Sequence, residues 1–189
     1  MAHIFVLAAL IVNSLNFGTA QAQPLLDNPN ASAAAAYCTS TGGVVEHRRP
    51  VYGTNNPKSQ WLYLSGSALF CQYTAKDASR IHLLLTTLYT TQPTLATLAY
   101  YAKVKYNNSC PGGANPSSCY CTQLGGSDQF GGATLAGGAW VLQHTTDVAL
   151  QACIFPDMSS IDSWGLFYHS AGIVRGIDLT KVLKYHNPH

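Results

Sequence analysis

Residues 4–12 form an unbroken apolar run of nine, followed by polar positions and then Ala20-Gln21-Ala22. A short apolar run ahead of a small-x-small triplet is the pattern of an export signal, and nine residues are too few to span a bilayer as a helix. Residues 1–22 are expected to be cleaved after Ala22, leaving Gln23 first, although no Lys or Arg precedes the run. No Cys follows the cleavage point, so a lipoprotein is not expected.

Beyond the signal the pattern runs twice. Asn28-Pro29, Tyr37-Cys38-Thr39-Ser40-Thr41-Gly42-Gly43, Trp61, Cys71 and Ser79-Arg80-Ile81 come first. Asn115-Pro116, Tyr120-Cys121-Thr122-Gln123-Leu124-Gly125-Gly126, Trp140, Cys153 and Ser159-Ser160-Ile161 follow in the same order. Gly43 to Cys71 is 28 residues and Gly126 to Cys153 is 27, which reads as tandem duplication.

Each copy has a physical reading. Asn caps a helix whose first position Pro fills without losing a bond, and Gly-Gly ends it in a left-handed cap. Strand-like stretches follow, near residues 44–47 and 61–73 in the first copy and near 139–144 and 149–155 in the second. Gly131-Gly132 and Gly137-Gly138 punctuate the approach to the second pair. A closing helix then places Ile81, Leu84, Leu85 and Leu88 at i, i+3, i+4, i+7. Its counterpart carries Ile161, Trp164 and Tyr168, with Asp157 or Ser159 near the cap.

The expected fold is α+β: two tandem disulfide-stapled αββα units, their antiparallel sheet packed against helices. The units cover residues 23–92 and 115–172, with a connector at 93–114 and a C-terminal extension at 173–189. In the connector, Pro93, Leu95, Leu98, Ala99 and Ala102 suggest a further helix, and residues 100–106 read equally as a strand. In the extension, Leu179, Val182 and Leu183 share a short helical face.

Composition narrows the function classes. The 189 residues are 47% apolar and 10% charged, with net charge +2. That balance gives no electrostatic case for nucleic acid, and the apolar content excludes disorder. Six cysteines, Cys38, Cys71, Cys110, Cys119, Cys121 and Cys153, in an exported chain suggest three disulfides among 15 possible pairings. The duplication selects Cys38–Cys71 and Cys121–Cys153, leaving Cys110–Cys119. In the chain-entropy model these are worth roughly 3.5–4 kcal/mol for each long loop and roughly 2.5 for the short one. A metal site at Cys119 and Cys121 is the alternative, but it lacks a second Cys pair or a His cluster.

These residues resemble a known family. Asn115-Pro116, Tyr120-Cys121, Gly125-Gly126, Cys153-Ile154-Phe155-Pro156-Asp157 and Trp164-Gly165-Leu166-Phe167-Tyr168 are similar to the pattern of small exported bacterial proteins labelled hemolysins, a domain family of unknown function. Residues 115–168 match best, and 28–89 form a degenerate copy. Ile161 stands where the family has Cys, Met158 where it has Gly, and Ser163 where it has Glu. The resemblance implies a Gram-negative envelope or secreted location and says little about activity.

Candidate chemistry is sparse. His47, His82, His144 and His169 lie within the two units, His82 and His169 on or just after the closing helices. A catalytic His needs a nucleophile and an orienting acid, and no G-x-S-x-G elbow is present; Ser65-Gly66-Ser67 reads as a turn. The acids Asp27, Glu46, Asp77, Asp128, Asp147, Asp157, Asp162 and Asp178 are scattered, Asp157 and Asp178 reading as caps. The Gly pairs lack a phosphate-loop Lys. His186 and His189 sit in a tail. Asn30-Ala31-Ser32 and Asn107-Asn108-Ser109 match the N-glycosylation pattern, relevant only in a eukaryotic host. No catalytic, metal or cofactor site is expected.

Eleven Tyr and three Trp accompany few charges. Aromatic residues concentrate where interfaces lose their charges. Tyr63, Tyr89, Tyr100, Tyr101 and Tyr106 are therefore the expected interaction surface, and Trp61, Trp140 and Trp164 are expected in the cores. The function expected is an exported, non-enzymatic binding or structural protein of the bacterial envelope, an accessory subunit with envelope protein partners. The alternative is a secreted hydrolase inhibitor presenting Arg48-Arg49-Pro50 or the Gly-rich loop; an enzyme of unrecognised type comes third, and a hemolysin-like factor is what the family resemblance implies.

Overall fold

The computed structural model describes residues 29–110, 114–128, 134–143 and 149–188. The export signal, Asp27, Asn28, Gly131-Gly132, His144, Asp147 and His189 lie outside them.

Helix α1 (Pro29–Ser40) leads into strand β1 (Val44–Tyr52), a 3-10 turn (Lys58–Gln60), β2 (Leu62–Tyr63), β3 (Ala68–Thr74), β4 (Arg80–Leu84) and α2 (Leu85–Tyr89). Helix α3 (Leu95–Ala102) connects to α4 (Pro116–Gln123), β5 (Gly138–Leu142), β6 (Ala152–Ile154), β7 (Ser160–Asp162) and α5 (Ser163–Ser170); a 3-10 turn (Leu179–Lys181) follows. The fold is α+β. Among the described residues seven strands make one antiparallel sheet in the order β2-β1-β3-β4-β7-β6, with β5 on β1 over Arg48–Tyr52.

The helices supply one core with the sheet residues that face them, including Cys71, Ile81, Leu83, Cys153 and Ile161. A smaller cluster of Phe70, Leu150 and Ala152, with Trp140 against it, contains the opposite-facing neighbours on the strands. Both faces of the middle strands are therefore covered. Ile81, His82 and Leu83 are all buried in β4, as are all three residues of β7.

The closing helices begin later than the apolar spacing predicts. Ile81 and Leu84 belong to a strand and only Leu85 and Leu88 to α2, while Ile161 lies in β7. A strand buried on both sides loses its alternation, and its apolar run joins the following helix into a false 3.6-residue period. Each half is also richer in strands than αββα: β1 continues from residue 47 to 52, and β4 and β7 are added.

The three disulfides are Cys38–Cys71, Cys110–Cys119 and Cys121–Cys153. The two long ones sit in matching surroundings. The N–H of Gly43 donates to Cys38 O at 2.8 Å and that of Gly126 to Cys121 O at 2.9 Å, closing α1 and α4 alike. Gly42 and Gly125 take φ of +88° and +86°, a region that favours glycine. A Cβ at Gly43 or Gly126 would run into both sulfurs of the adjacent bridge.

The hairpin turns match as well. Ala75 and Phe155 donate to Ser79 O and Ser159 O, and Asp77 and Asp157 each accept from the N–H of the Ser two residues on. β3 and β4 pair Tyr73 with Ile81, while β6 and β7 pair Cys153 with Ile161. The turns thus correspond, but the bridge cysteine sits two residues nearer the turn in the second hairpin, with Cys71 opposite Leu83 and Cys153 opposite Ile161. The hairpins meet where β4 runs antiparallel to β7, with Leu83 opposite Ile161.

Candidate functional site

One sheet face carries two adjacent rows of side chains. The first is polar. Gln72 is opposite His82, and the β4–β7 register places His82 opposite Asp162. His82 Nδ1 lies 3.2 Å from Asp162 Oδ2, and its Nε2 lies 3.1 Å from Gln72 Oε1 and 3.4 Å from Glu46 Oε2. Arg48 Nε donates to Glu46 Oε2 at 2.7 Å and its Nη1 to Trp140 O at 3.2 Å. Glu46, Arg48, His82 and Asp162 are all buried. Asp162 also caps α5, accepting from the Gly165 N–H at 2.9 Å.

This row supplies the orienting acid that a catalytic His would need, but the partners of His82 are two carboxylates and an amide oxygen, with no hydroxyl or thiol for the ring to deprotonate. The two carboxylates spend their oxygens on His82, Arg48 and the α5 N-terminus. Among the described residues no group of three His, Cys, Asp or Glu converges to hold a metal. What the row does is tie β1, β3, β4, β7 and α5 together through buried, mutually satisfied charges.

The second row is apolar. Phe70 is opposite Leu84, Leu84 opposite Ser160, and Ser160 opposite Ile154. These four residues line a cavity of about 670 Å³ that extends between Trp140 and the helices α1 and α2. That volume falls within the ~300–1,000 Å³ range of small-molecule sites. Ser160 is fully buried, and its Oγ has no hydrogen-bond partner, although its N–H donates to Thr87 Oγ1. Tyr89 and Lys184 also line the cavity, with Lys184 Nζ 3.5 Å from the Tyr89 ring centroid.

The predicted tyrosine surface is scattered. Tyr63 is exposed, under the Arg49 guanidinium. Tyr89 is half-buried in the cavity wall, Tyr101 donates its hydroxyl to Tyr185 O, and Tyr106 packs edge-on against Tyr120 and Phe167. Tyr100 is a correction: it lies in the core, because α3 presses it flat on His169 of α5, and burial pushes its pKa up to about 12. All three tryptophans are only half-buried, with Trp140 packed against Phe70.

Other candidates also move. His82 is in β4, not on a helix, and His47 is half-buried in β1. Arg48-Arg49-Pro50 is not a presented loop: it lies inside β1, paired to β5 across all three residues, with Arg48 and Pro50 buried. Asp128 is buried beside Ser118; burial raises its pKa, and the hydrogen bond from Ser118 opposes the rise. Sequence reasoning missed both the charged row and the cavity. The one signal for them was the charged and polar residues Glu46 and Gln72 inside apolar strand-like stretches and Asp162 on the apolar stripe read as a closing helix.

No family model matches the chain, no curated protein matches it, and no solved structure matches its fold.

Proposed function

We propose that the chain is an exported, disulfide-stapled binding protein without a catalytic role, and that its working site is the cavity on the Phe70–Leu84–Ser160–Ile154 row. The observation that carries this reading is the cavity itself: a mainly apolar lining floored by a rigid sheet row. Three disulfides support an oxidising compartment. Among the described residues no helix is long and apolar enough to cross a membrane. The matched turns, glycines and bridges support reading the halves as copies of one unit. The family resemblance adds the bacterial envelope as the setting.

Titration of the oxidised protein with dodecan-1-ol, followed by calorimetry, tests the reading. One-to-one saturable binding is expected, abolished by Leu84→Trp, which sets an indole across the middle of the floor row. Absence of binding, or equal binding to a folded Leu84→Trp variant, overturns it. A second reading, an accessory subunit held by a protein partner, is favoured by Leu62, Tyr63 and Leu64, consecutive exposed apolar residues at the β2 position of the sheet.

A further inference from the structure

The inference here rests on the cavity being the binding site and names what it takes. We infer that the ligand is an anionic amphiphile, an aliphatic carboxylate, whose chain lies along Phe70, Leu84 and Ile154 and whose head is held by Lys184. One charged group in a mainly apolar lining carries this.

That group is a cation. Lys184 Nζ rests on the face of Tyr89, and among the described residues no carboxylate lies within ion-pair distance of it. The Lys184 N–H donates to Leu88 O at 3.0 Å, which anchors its backbone to the end of α2 beside the cavity. A cation held by an aromatic ring instead of an acid keeps its charge available to an incoming anion. Apolar walls beneath it require the rest of that anion to be apolar, so a hydrophilic anion such as free phosphate leaves the floor uncovered.

A cationic amphiphile is disfavoured by Lys184, and a neutral one gains nothing from it.

The test uses the oxidised, purified protein with three probes of equal chain length: dodecanoate, dodecan-1-ol and dodecyltrimethylammonium. Dodecanoate is expected to bind one-to-one and roughly tenfold more tightly than the alcohol, the order of one charge-assisted contact. The ammonium probe is expected to bind more weakly than either. Lys184→Met is expected to bring dodecanoate down to the level of the alcohol measured on the same variant. If the alcohol binds and Leu84→Trp blocks it, but dodecanoate is no tighter or is unaffected by Lys184→Met, this inference fails and the apolar site stands. If none of the probes binds, both fail.

Discussion

His169 lies flat on Tyr100, with ring centroids 3.7 Å apart and planes 8° from parallel. Burial holds its pKa below the usual 6.5; nearby Lys103 adds to this, and Asp178 works against it. The folded state therefore takes up this proton at lower pH than the unfolded chain does. Above about pH 6.5 the ring is neutral in both states and contributes no pH dependence. As pH falls from there toward the depressed folded value, the unfolded state binds the proton first and stability is lost. His169→Phe keeps the stack and removes the proton, so its urea midpoint is expected to drop less than that of the parent protein between about pH 7.5 and about pH 5. Parallel pH profiles would refute this. The same stack shows what the sequence leaves unreadable at this scale. The tyrosines were countable, but whether Tyr100 faced solvent or core depended on which side of α3 met α5, a contact 69 residues away in the chain.

At the scale of elements, α3 shows how far local pattern carries. Its place was legible from Pro93 and the apolar spacing after it. The buried face was not, since Leu95 and Leu98 are exposed while Ala96, Thr97 and Tyr100 are buried. Nor could the sequence show how the helix starts. The first four amides of a helix lack internal partners. Here the Thr94 N–H donates to Thr97 Oγ1 at 3.0 Å, Leu95 to Asp157 Oδ2 at 2.8 Å, Ala96 to Ser159 Oγ at 3.0 Å and Thr97 to Thr94 Oγ1 at 3.2 Å. Two of the four partners come from the β6–β7 turn. Asp157 reads as a cap from sequence, and it is one, but for a helix 62 residues away. Burial would raise its pKa, and the hydrogen bonds from Ser159 and Leu95 outweigh that and lower it. The first half's turn does likewise, with Ser79 Oγ accepting from the Gly176 N–H after α5. Each turn thus holds the segment that trails the other half's closing helix. Asp157→Ala and Ser159→Ala are each expected to cost about 1 kcal/mol, the usual value of a lost cap. Hydrogen exchange would show it as faster exchange at the first amides of α3, with β3–β4 protection unchanged; uniform loss across the sheet would contradict a local cap.

For the whole molecule, the disulfides decide which parts hold together when the rest loosens. Cys38–Cys71 and Cys121–Cys153 close loops of 33 and 32 residues, Cys110–Cys119 only 9. Loop-closure entropy ranks the long bridges at about 3.7 kcal/mol and the short one at about 2.6. Packing widens the difference. Both cysteines of each long bridge have no exposed surface, and Gly43 and Gly126 lie so close that the sulfurs fill the space where another residue would carry a Cβ. Cys110, by contrast, is only half-buried. Replacing a long pair by alanine therefore removes a chain constraint and also leaves a void between helix and sheet, whereas replacing the short pair removes the constraint alone. Urea unfolding of the three double-alanine variants under oxidising conditions should give two large and comparable losses and one clearly smaller loss. The two long bridges should also match each other, because each ties a first helix to a strand in the same surroundings. If removing Cys110–Cys119 costs as much as either long pair, stability does not reside in two helix-to-sheet staples, and the connector must be credited with holding the molecule together.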